Sequence, residues 1–371
     1  GGTRRMSAVP LPLPTTLARP GGVDATYAER AAPGSRGQLV DRFGRVHRDL
    51  RISLTDRCSL RCTYCMPEQG VEWLAKSSIL TTDEIVRVAG VLASLGIVEV
   101  RLTGGEPLLR RDIVDVVRRV AAIEGVAGPL EVSMTTNGLK LPELAEPLRE
   151  AGLARVNVSI DTLRRDRFAE LTRRDRLDDV LSGIRAARRA GFAPLKLNAV
   201  PMRGVNDDEI VDLVQFAVDN GAQMRFIEQM PLDAGHTWSR SEMVDAGEIL
   251  DKLTRRFTLT PIGERGSSPS QDYLVDGGPT TVGLIASVSA PFCGACDRVR
   301  LTADGQIRNC LFAREESDLL PLLRGAEGSS PADDDAIADL LRRSIAGKRA
   351  GHGIDDPGFL QPQRPMSAIG G

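Results

Sequence analysis

The sequence is poor in aromatic residues and in lysine. Only five of its 48 basic residues are lysine, at positions 76, 140, 196, 252 and 348, so arginine carries almost all of the positive charge. Acidic residues nearly balance the basic ones, which leaves a net charge of -2. This balance excludes a field over the whole molecule that would attract nucleic acid or an acidic membrane. Any site that binds an anion must therefore be local.

Long apolar runs are also absent. No run approaches the roughly 18 apolar residues that indicate a membrane span, and the first residues lack the apolar centre of a signal peptide. These absences predict a cytoplasmic protein. Residues 1–40 are rich in Pro, Arg, Gly and Ala without periodicity, which predicts a disordered leader.

From residue 48 onward, short β-branched runs alternate with amphipathic stretches of helical spacing. The runs predicted as strands are LRISLT, VEVRLTG, LEVSMTTNG, RVNVSID, LKLNAV and MRFIEQM. The stretches predicted as helices are 82–95, 112–124, 142–151, 177–190 and 207–219, with a last one over about 332–347. Such alternation indicates repeated βαβ units and a parallel sheet. Six strands rather than eight indicate an open, partial barrel.

In these strands the alternate residues that share one face are polar, and we call this set the polar parity. Strands covered on both faces normally have continuous apolar sequences. The polar set is Arg51, Ser53 and Thr55; Arg101 and Thr103; Ser133 and Thr135; Asn157, Ser159 and Asp161; and Lys196 and Asn198. We expect this parity to point into the barrel and to line a wet, ligand-sized cavity. The alternative is a set of edge strands facing solvent, but five strands cannot all be edges.

Six cysteines fall into two groups of three. The first triad is Cys58, Cys62 and Cys65, and the second triad is Cys293, Cys296 and Cys310. A cytosolic protein does not ordinarily keep structural disulfides, so grouped thiolates point to metal or redox chemistry. Zinc is one interpretation, with a histidine such as His47 as fourth ligand. A four-iron cluster is the other, because each iron takes one thiolate and three cysteines leave one iron open to a small molecule.

The first triad resembles the signature of the radical S-adenosylmethionine (SAM) enzymes. Its spacing is Cys-x3-Cys-x2-Cys, with an aromatic residue before the last cysteine, directly after the first predicted strand. The resemblance implies a [4Fe-4S] cluster whose open iron binds SAM. TGGEP, residues 103–107, follows one βα unit later; its glycines permit close approach of a ligand, and its carboxylate can accept a hydrogen bond from an ammonium group. The SAM contacts implied are Tyr64, Gly104, Gly105, Glu106, Ser159 and Met230.

The second triad resembles the C-terminal domain of the GTP 3′,8-cyclases, lyases of the radical SAM superfamily that act in molybdenum cofactor biosynthesis. Its spacing is Cys-x2-Cys-x13-Cys, with the segment DRVRLTADG. The resemblance runs from about Asp41 to the last residue. It includes DRFGRVHRDLRISLTDRCSLRCTYCMP, RLTGGEPLLRRD, TTNG, NVSID, RFIEQMP, GLIASVSAPFC and the terminal IGG.

This second resemblance implies a reaction. A SAM-derived 5′-deoxyadenosyl radical would abstract H3′ of GTP, and the substrate would then cyclise onto guanine C8 in the first step of molybdopterin biosynthesis. The second triad would hold another [4Fe-4S] cluster, whose open iron binds the guanine base. The GTP contacts implied are Arg51, Arg101, Thr135, Lys196, Arg298 and Arg300. Catalytic roles are implied for the first triad, for Arg298 and Arg300, and for Gly370 and Gly371, which would reach into the active site.

The expected organisation is a leader over 1–40, a partial (β/α)6 barrel of TIM type over 41–257, an auxiliary iron-sulfur domain over 258–330, and a C-terminal helix with a Gly-Gly tail over 331–371. Expected partners are GTP, a reductant protein as electron donor and a downstream pterin synthase, with a homodimer as one alternative for the oligomeric state. Two other functions stay open: a different radical SAM enzyme with an auxiliary cluster, such as a peptide modifier, and a non-enzymatic zinc or redox-sensing module.

Overall fold

The computed structural model describes residues 37–233 and 235–370. Most of the predicted leader, residues 1–36, lies outside the described residues. The last part of that segment belongs to the fold, because Leu39 is fully buried and its N–H donates to the Leu95 carbonyl. Val40 forms an isolated β-bridge with Val46. Composition alone therefore extends the leader too far towards the first strand.

The described strands, in chain order, are β1 (Asp49–Ser53), β2 (Glu99–Thr103), β3 (Glu124–Gly125), β4 (Gly128–Pro129), β5 (Glu131–Thr136), β6 (Arg155–Ser159), β7 (Lys196–Ala199), β8 (Gln223–Ile227), β9 (Leu259–Ile262), β10 (Gln271–Val275), β11 (Thr281–Ile285), β12 (Arg298–Leu301), β13 (Gln306–Arg308) and β14 (Ser317–Asp318). All except β3 and β4 join one twelve-stranded sheet in the order β14-β13-β12-β1-β2-β5-β6-β7-β8-β11-β10-β9.

The α/β class with a parallel sheet is confirmed. All six predicted strands are present, as β1, β2, β5, β6, β7 and β8, and they follow one another across the sheet in chain order. The C-terminal segment extends this sheet at both edges, because β12 pairs in parallel with β1 and β11 pairs in parallel with β8. Over the described ranges the strand order has two ends, so the sheet stays open.

The described helices are α1 (Thr82–Ser94), α2 (Ile113–Ala121), α3 (Leu141–Glu150), α4 (Arg165–Thr172), α5 (Leu177–Arg189), α6 (Ile210–Asp219), α7 (Ala246–Thr254), α8 (Leu320–Arg324), α9 (Asp334–Ala346) and α10 (Met366–Ile369). The six predicted helices match α1, α2, α3, α5, α6 and α9. The sequence pattern missed α4, α7 and the two short helices α8 and α10. No helix in residues 37–233 and 235–370 combines the length and apolarity needed to cross a membrane.

The apolar parity of the strands packs under the helices, as predicted. In β1, Leu50 and Ile52 are fully buried, and Ile85 and Leu92 of α1 belong to the same core. Each such side chain contributes about 1.5–3 kcal/mol when it leaves water. The start of α1 is set by a capping box in which Thr81 accepts from the N–H of Glu84, a device that satisfies N–H groups left unpaired at a helix start. The polar parity is thereby left facing the other side of the sheet.

Candidate active site

One cavity of about 360 Å³ collects nearly all of the predicted site residues. Those that line it are both triads, Tyr64, Gly104, Gly105, Glu106, Ser159, Met230, Arg51, Arg101, Thr135, Arg298 and Arg300. Lys196 lies outside this lining, and Gly370 reaches it only through a hydrogen bond described below. Gly371 lies outside the described residues. The two triads, more than 200 residues apart in sequence, therefore share one chamber.

Arginine side chains hold the loop that carries the first triad. The N–H of Cys65 donates to the Cys62 carbonyl over 3.0 Å, which gives the loop a helical turn. Arg61 Nη1 donates to the Cys58 carbonyl over 2.6 Å. Arg173 Nη1 donates to the carbonyls of Arg61 and Met66 over 2.8 and 3.1 Å. These bonds fix the path of the loop without using any cysteine sulfur.

The sulfur atoms of the first triad suit a cationic group. All three cysteines are free thiols. Burial is the main reason why the pKa of the Cys65 thiol is raised to about 12, and the negative charges of Cys58 and Asp161 act in the same direction. Burial and the charges of Cys65, Asp161 and Cys58 likewise raise the pKa of Cys62. Three thiolates placed this close would repel one another, and the positive charge of bound iron would offset that repulsion and favour the deprotonated form.

A site for one metal ion requires a different arrangement of ligands from a site for a four-iron cluster. Among the described residues, no three side chains of His, Cys, Asp or Glu are arranged around one metal ion. A four-iron cluster makes a different demand, because each cysteine binds a different iron atom and the three sulfurs need not converge on one point. His47, the candidate zinc ligand, accepts a hydrogen bond from Lys348 beside the second triad, so its Nε2 lone pair is engaged there.

Gly104 and Gly105 pack directly against the backbone of the loop before the first triad. A Cβ added at Gly105 would lie 2.3 Å from the Arg57 carbonyl oxygen, and one at Gly104 would lie 2.6 Å from the Thr55 carbonyl oxygen. Gly104 also has φ +151, a conformation that side chains rarely adopt. The main-chain N–H groups of Gly105 and Glu106 donate to the Thr55 and Arg57 carbonyls, each over 2.7 Å. This packing requires glycine here independently of any ligand.

Glu106 joins the GGEP turn to the TTNG turn of the neighbouring strand. Its carboxylate accepts from Thr136 Oγ1 over 2.6 Å and from the N–H groups of Asn137 and Leu108 over 2.7 and 3.0 Å. Burial raises the pKa of this carboxyl despite these donors. Tyr64 is anchored in a similar way, since its hydroxyl donates to Asp161 over 2.6 Å. Two side chains predicted to contact SAM are thus already oriented by the protein.

Arginines line up across three neighbouring strands in the same chamber. The sheet register places Arg300 of β12 opposite Arg51 of β1, and Arg51 opposite Arg101 of β2. Like charges directly opposite one another destabilise a sheet. Asp49 offsets this repulsion in part, because its carboxylate lies 3.1 Å from Arg51 Nη2 and 3.2 Å from Arg298 Nε. Despite burial, these arginines hold the pKa of Asp49 well below its usual range. The arginines outnumber the one carboxylate among them, so this part of the cavity can accommodate a further anion.

Sequence reasoning missed Arg225, a further cation of this group. It lies on β8, lines the cavity, and donates from Nε to Asn198 Oδ1 over 2.9 Å. Burial and the charge of Arg51 lower its pKa to about 10. Burial and Arg225 in turn lower the pKa of Lys196 to about 8. The signal was present in the sequence, since Arg225 continues the polar parity that runs through Asn198, its partner in the sheet register.

The C-terminal tail enters the site. Arg300 Nη1 donates to the Gly370 carbonyl over 2.6 Å. Gly370 has φ +85, and a Cβ there would lie 2.5 Å from Thr103 Oγ1. Upstream in the tail, Arg364 pairs with Asp304 and Glu316 over 2.8 and 2.7 Å. The tail is therefore docked on the β12–β13 hairpin, with its penultimate residue against the arginine row.

Comparison with known proteins decides the family. Residues 52–217 match the Radical SAM superfamily, and residues 222–354 match the family described as Molybdenum Cofactor Synthesis C. A GTP 3′,8-cyclase of Streptomyces coelicolor is 60% identical over 336 residues, which cover 90% of this chain and 96% of that protein. The chain belongs to the GTP 3′,8-cyclase family. A second member, from Mycobacterium sp. strain KMS, is 52% identical over 99% of this chain and 100% of its own length.

The fold of this GTP 3′,8-cyclase family member also has a relative among solved structures. Streptococcus suis SuiB bound to S-adenosylmethionine superposes with a TM-score of 0.55 over 82% of this chain and 68% of SuiB. The identity is 15%, so the likeness shows the fold alone. Membership of the radical SAM superfamily implies one [4Fe-4S] cluster and SAM as cofactor, and the thiols of the first triad fit that cluster. The family name implies GTP as substrate.

Substitution of Gly105 should show how tightly the GGEP turn is packed. We expect Gly105→Ala to lower the free energy of unfolding by about 1–3 kcal/mol, because the new Cβ overlaps backbone atoms that cannot move aside. SAM affinity should fall with it, as the GGEP turn shifts. The matched control is Gly90→Ala in α1, where a Cβ meets nothing within 4 Å. Equal unfolding midpoints in denaturant for the Gly105→Ala variant and the unsubstituted protein would contradict the packing argument.

Proposed function

We propose that this chain binds GTP and SAM in the shared cavity and catalyses the 3′,8-cyclisation of GTP. The observation that carries the proposal is the presence of both triads and a row of arginines in one chamber. The proposed division of labour gives SAM chemistry to the first triad and GTP to the second triad and the arginines. Such a chamber brings the two reactants together in a fixed orientation, which is a large source of rate acceleration.

On the SAM side, we assign the first triad as ligands of the radical SAM cluster. When bound, the reduced cluster and SAM supply the radical that removes a hydrogen atom from the substrate. The chain contributes placement: Tyr64 is held by Asp161, and Glu106 is fixed by the TTNG turn. Both line the cavity, together with Gly104, Gly105, Ser159 and Met230, the remaining proposed SAM contacts.

On the GTP side, the triphosphate supplies the anion that the arginine row lacks. GTP carries about four negative charges at neutral pH, and guanidinium forks bind phosphate oxygens in pairs. The proposed contacts are Arg51, Arg101, Thr135, Lys196, Arg298 and Arg300, to which we add Arg225 because it lines the same cavity. Burial together with Arg51 and Arg298 lowers the pKa of Arg300 to about 9. A bound triphosphate would reverse the electrostatic part of that shift.

The second triad is proposed to hold a second [4Fe-4S] cluster, whose open iron would bind the guanine base. The donor set fits, since Cys293, Cys296 and Cys310 are free thiols that line the cavity. Burial, with the charges of Cys310 and Cys296, raises the pKa of Cys293. Cluster iron would bind these sulfurs as thiolates, one to each of three iron atoms.

Partners follow from the same chemistry. Reduction of the first cluster requires a reductant protein, and the reactive product requires a downstream pterin synthase. We place the protein in the cytoplasm, where thiols stay reduced.

The peptide-modifying alternative is less well supported, because a buried row of cations suits a polyanionic nucleotide better than a peptide. Homodimer formation stays a proposal that size measurement in solution can test.

The deciding experiment is anaerobic iron and sulfide analysis combined with a SAM cleavage assay. We expect iron and sulfide equal to two four-iron clusters per chain and 5′-deoxyadenosine production that depends on GTP. A zinc or redox-sensing module would instead contain zinc and would not cleave SAM. A peptide modifier would cleave SAM without any response to GTP.

Replacement of Arg298 or Arg300 by Ala should weaken GTP binding. Each loss should be about 1.5–3 kcal/mol, the usual scale for a hydrogen bond to a charged group, whereas SAM binding should change little. Arg87→Ala is the matched control, because Arg87 pairs with Asp334 and does not line the cavity. Calorimetric titration with each ligand measures the effect. Equal losses for GTP and SAM would show that the substitution damages the fold rather than the triphosphate site.

A further inference from the structure

A lysine is buried beside the second triad without a carboxylate to neutralise it. Lys348 follows α9 and is 3% exposed. Its Nζ lies 2.9 Å from the Arg298 carbonyl oxygen, 3.0 Å from His47 Nε2 and 3.4 Å from Cys296 Sγ. In the part of the chain that the structure describes, no carboxylate oxygen lies within 4.0 Å of this ammonium. The charge of Lys348 reaches the Asp297 carboxyl only at longer range.

The hydrogen bonds around His47 show that Lys348 is the donor. His47 Nδ1 lies 3.1 Å from the Arg45 carbonyl oxygen, which can only accept, so the ring proton is on Nδ1. Burial and the charge of Lys348 lower the pKa of His47 to about 4, which keeps the ring neutral and leaves Nε2 as an acceptor. Lys348 therefore faces four acceptor atoms: His47 Nε2, the Arg298 carbonyl oxygen, and both the carbonyl oxygen and Sγ of Cys296, each of these last two at 3.4 Å. The three N–H bonds of its ammonium are shared among them.

A buried ammonium without a counter-charge is strongly unfavourable. The negative groups that can serve here are the thiolates of the second triad. The Lys348 ammonium lies 3.4 Å from Cys296 Sγ, so its positive charge is next to this sulfur. The local field is thus positive at Cys296 in particular. Negative charge on the second triad would therefore give Lys348 a counter-charge at hydrogen-bond distance.

We propose that Lys348 is a positioning residue of the second cluster: its ammonium donates to the Cys296 sulfur, acts as the counter-charge of the cluster, and raises the reduction potential of that cluster. The same group donates to the Arg298 carbonyl, so it also ties a cluster ligand to the strand that carries the triphosphate arginines. This inference rests on the proposed function, because it requires a [4Fe-4S] cluster on the second triad.

The direction of the effect follows from charge. Reduction adds one electron to a cluster, and a nearby positive charge stabilises the more negative, reduced form. Hydrogen bonds to cluster sulfurs and burial are established controls of cluster potential, and groups that orient metal ligands tune the metal in the same way. Removal of the ammonium should therefore make the second cluster harder to reduce, while the first cluster, held by another loop, should be unaffected.

The test is a redox titration of the anaerobic holoenzyme, followed by electron paramagnetic resonance. The signal that responds to GTP identifies the second cluster. In Lys348→Met we expect the equilibrium constant for one-electron reduction of that cluster to fall about tenfold, a shift of 59 mV to more negative potential. Lys348→Arg should restore most of the shift. Lys252→Met is the matched control, because Lys252 pairs with Asp207 over 3.0 Å and should leave both potentials unchanged.

A second measurement detects the lysine beside the cluster in the native protein. Because the chain has only five lysines, labelling with 15N-lysine marks few sites, and among the described residues Lys348 is the lysine with a hydrogen bond to a cysteine sulfur. The reduced second cluster of the native protein should show a 15N hyperfine coupling that Lys348→Arg abolishes. The inference is overturned if that coupling is absent, or if Lys348→Met retains its iron and its potential. Native protein with iron for only one cluster would instead overturn the proposed function.

Discussion

Cys62→Ala should abolish SAM cleavage completely while leaving the second cluster in place. Cys62 is the middle cysteine of the first triad in the sequence, and burial, together with the charges of the nearby Cys65 and Cys58, raises the pKa of its thiol. With two cysteines left, the first cluster loses one of its three protein ligands, and a cluster with so few thiolates cannot present a single open iron to SAM. Iron content should fall by one four-iron cluster. The measurement is 5′-deoxyadenosine formation under anaerobic conditions, alongside iron analysis of the same sample.

The matched control is Cys293→Ala in the second triad. That variant should also lose one four-iron cluster, yet it should keep some SAM cleavage and lose productive conversion of GTP. The two losses are separable because the triads lie on different loops and no hydrogen bond links a sulfur of one triad to the other among the described residues. Unchanged iron content in either variant would show that the ligand assignment is wrong.

Deletion of Gly370 and Gly371 should leave both clusters and GTP affinity nearly intact but reduce cyclisation on the order of 100-fold, the scale expected when an active-site group is misplaced. The Gly370 carbonyl accepts from Arg300 over 2.6 Å. Without it, Arg300 loses a hydrogen bond that sets its orientation beside the second triad. SAM cleavage should then continue without coupling to product formation. The measurement is the ratio of cyclised product to 5′-deoxyadenosine with GTP and a strong reductant.

Two further variants isolate the cause. Gly370→Ala keeps the chain length but places a Cβ 2.5 Å from Thr103 Oγ1 in a φ +85 conformation, so it should displace the tail and reproduce much of the loss. Gly358→Ala is the control, because a Cβ there meets nothing within 4 Å. Full product formation by the protein that lacks Gly370 and Gly371 would return the tail to the status of an ordinary chain end.

Residue spacing located the two cysteine triads, and the resemblance to a known family supplied the chemistry predicted for them. Cysteine spacing within each triad is local, so it could be read directly from the sequence, as could the Gly-Gly-Glu turn. Strand parity correctly separated the buried Leu50 and Ile52 from the cavity-lining Arg51, because side chains alternate strictly along a strand. The same rule would have found Arg225. Arg225 lies in the sixth predicted strand, MRFIEQM, opposite Asn198 in the sheet register.

The spacing of apolar residues in the sequence did not predict helices that are short or strongly charged. The helix α4 (Arg165–Thr172) has the sequence RDRFAELT, in which charged residues obscure the periodicity of the few apolar residues that pack against the core. The tail helix α10 (Met366–Ile369) has four residues, too few for a periodic signal. Such elements are stabilised by tertiary contacts rather than by propensity. They matter for function here, because α10 delivers Gly370 to Arg300.

The sequence by itself determined the α/β class, the six parallel strands, the two cysteine triads and the family, since each depends on residues that are close in the chain or on a repeating period. Only the tertiary structure decided which distant segments meet. It placed β11 and β12 on opposite edges of one sheet, Lys348 against Cys296, and the tail against Arg300. The physical reason is that strand pairing and burial join residues hundreds of positions apart, and no local spacing encodes the register at which they join.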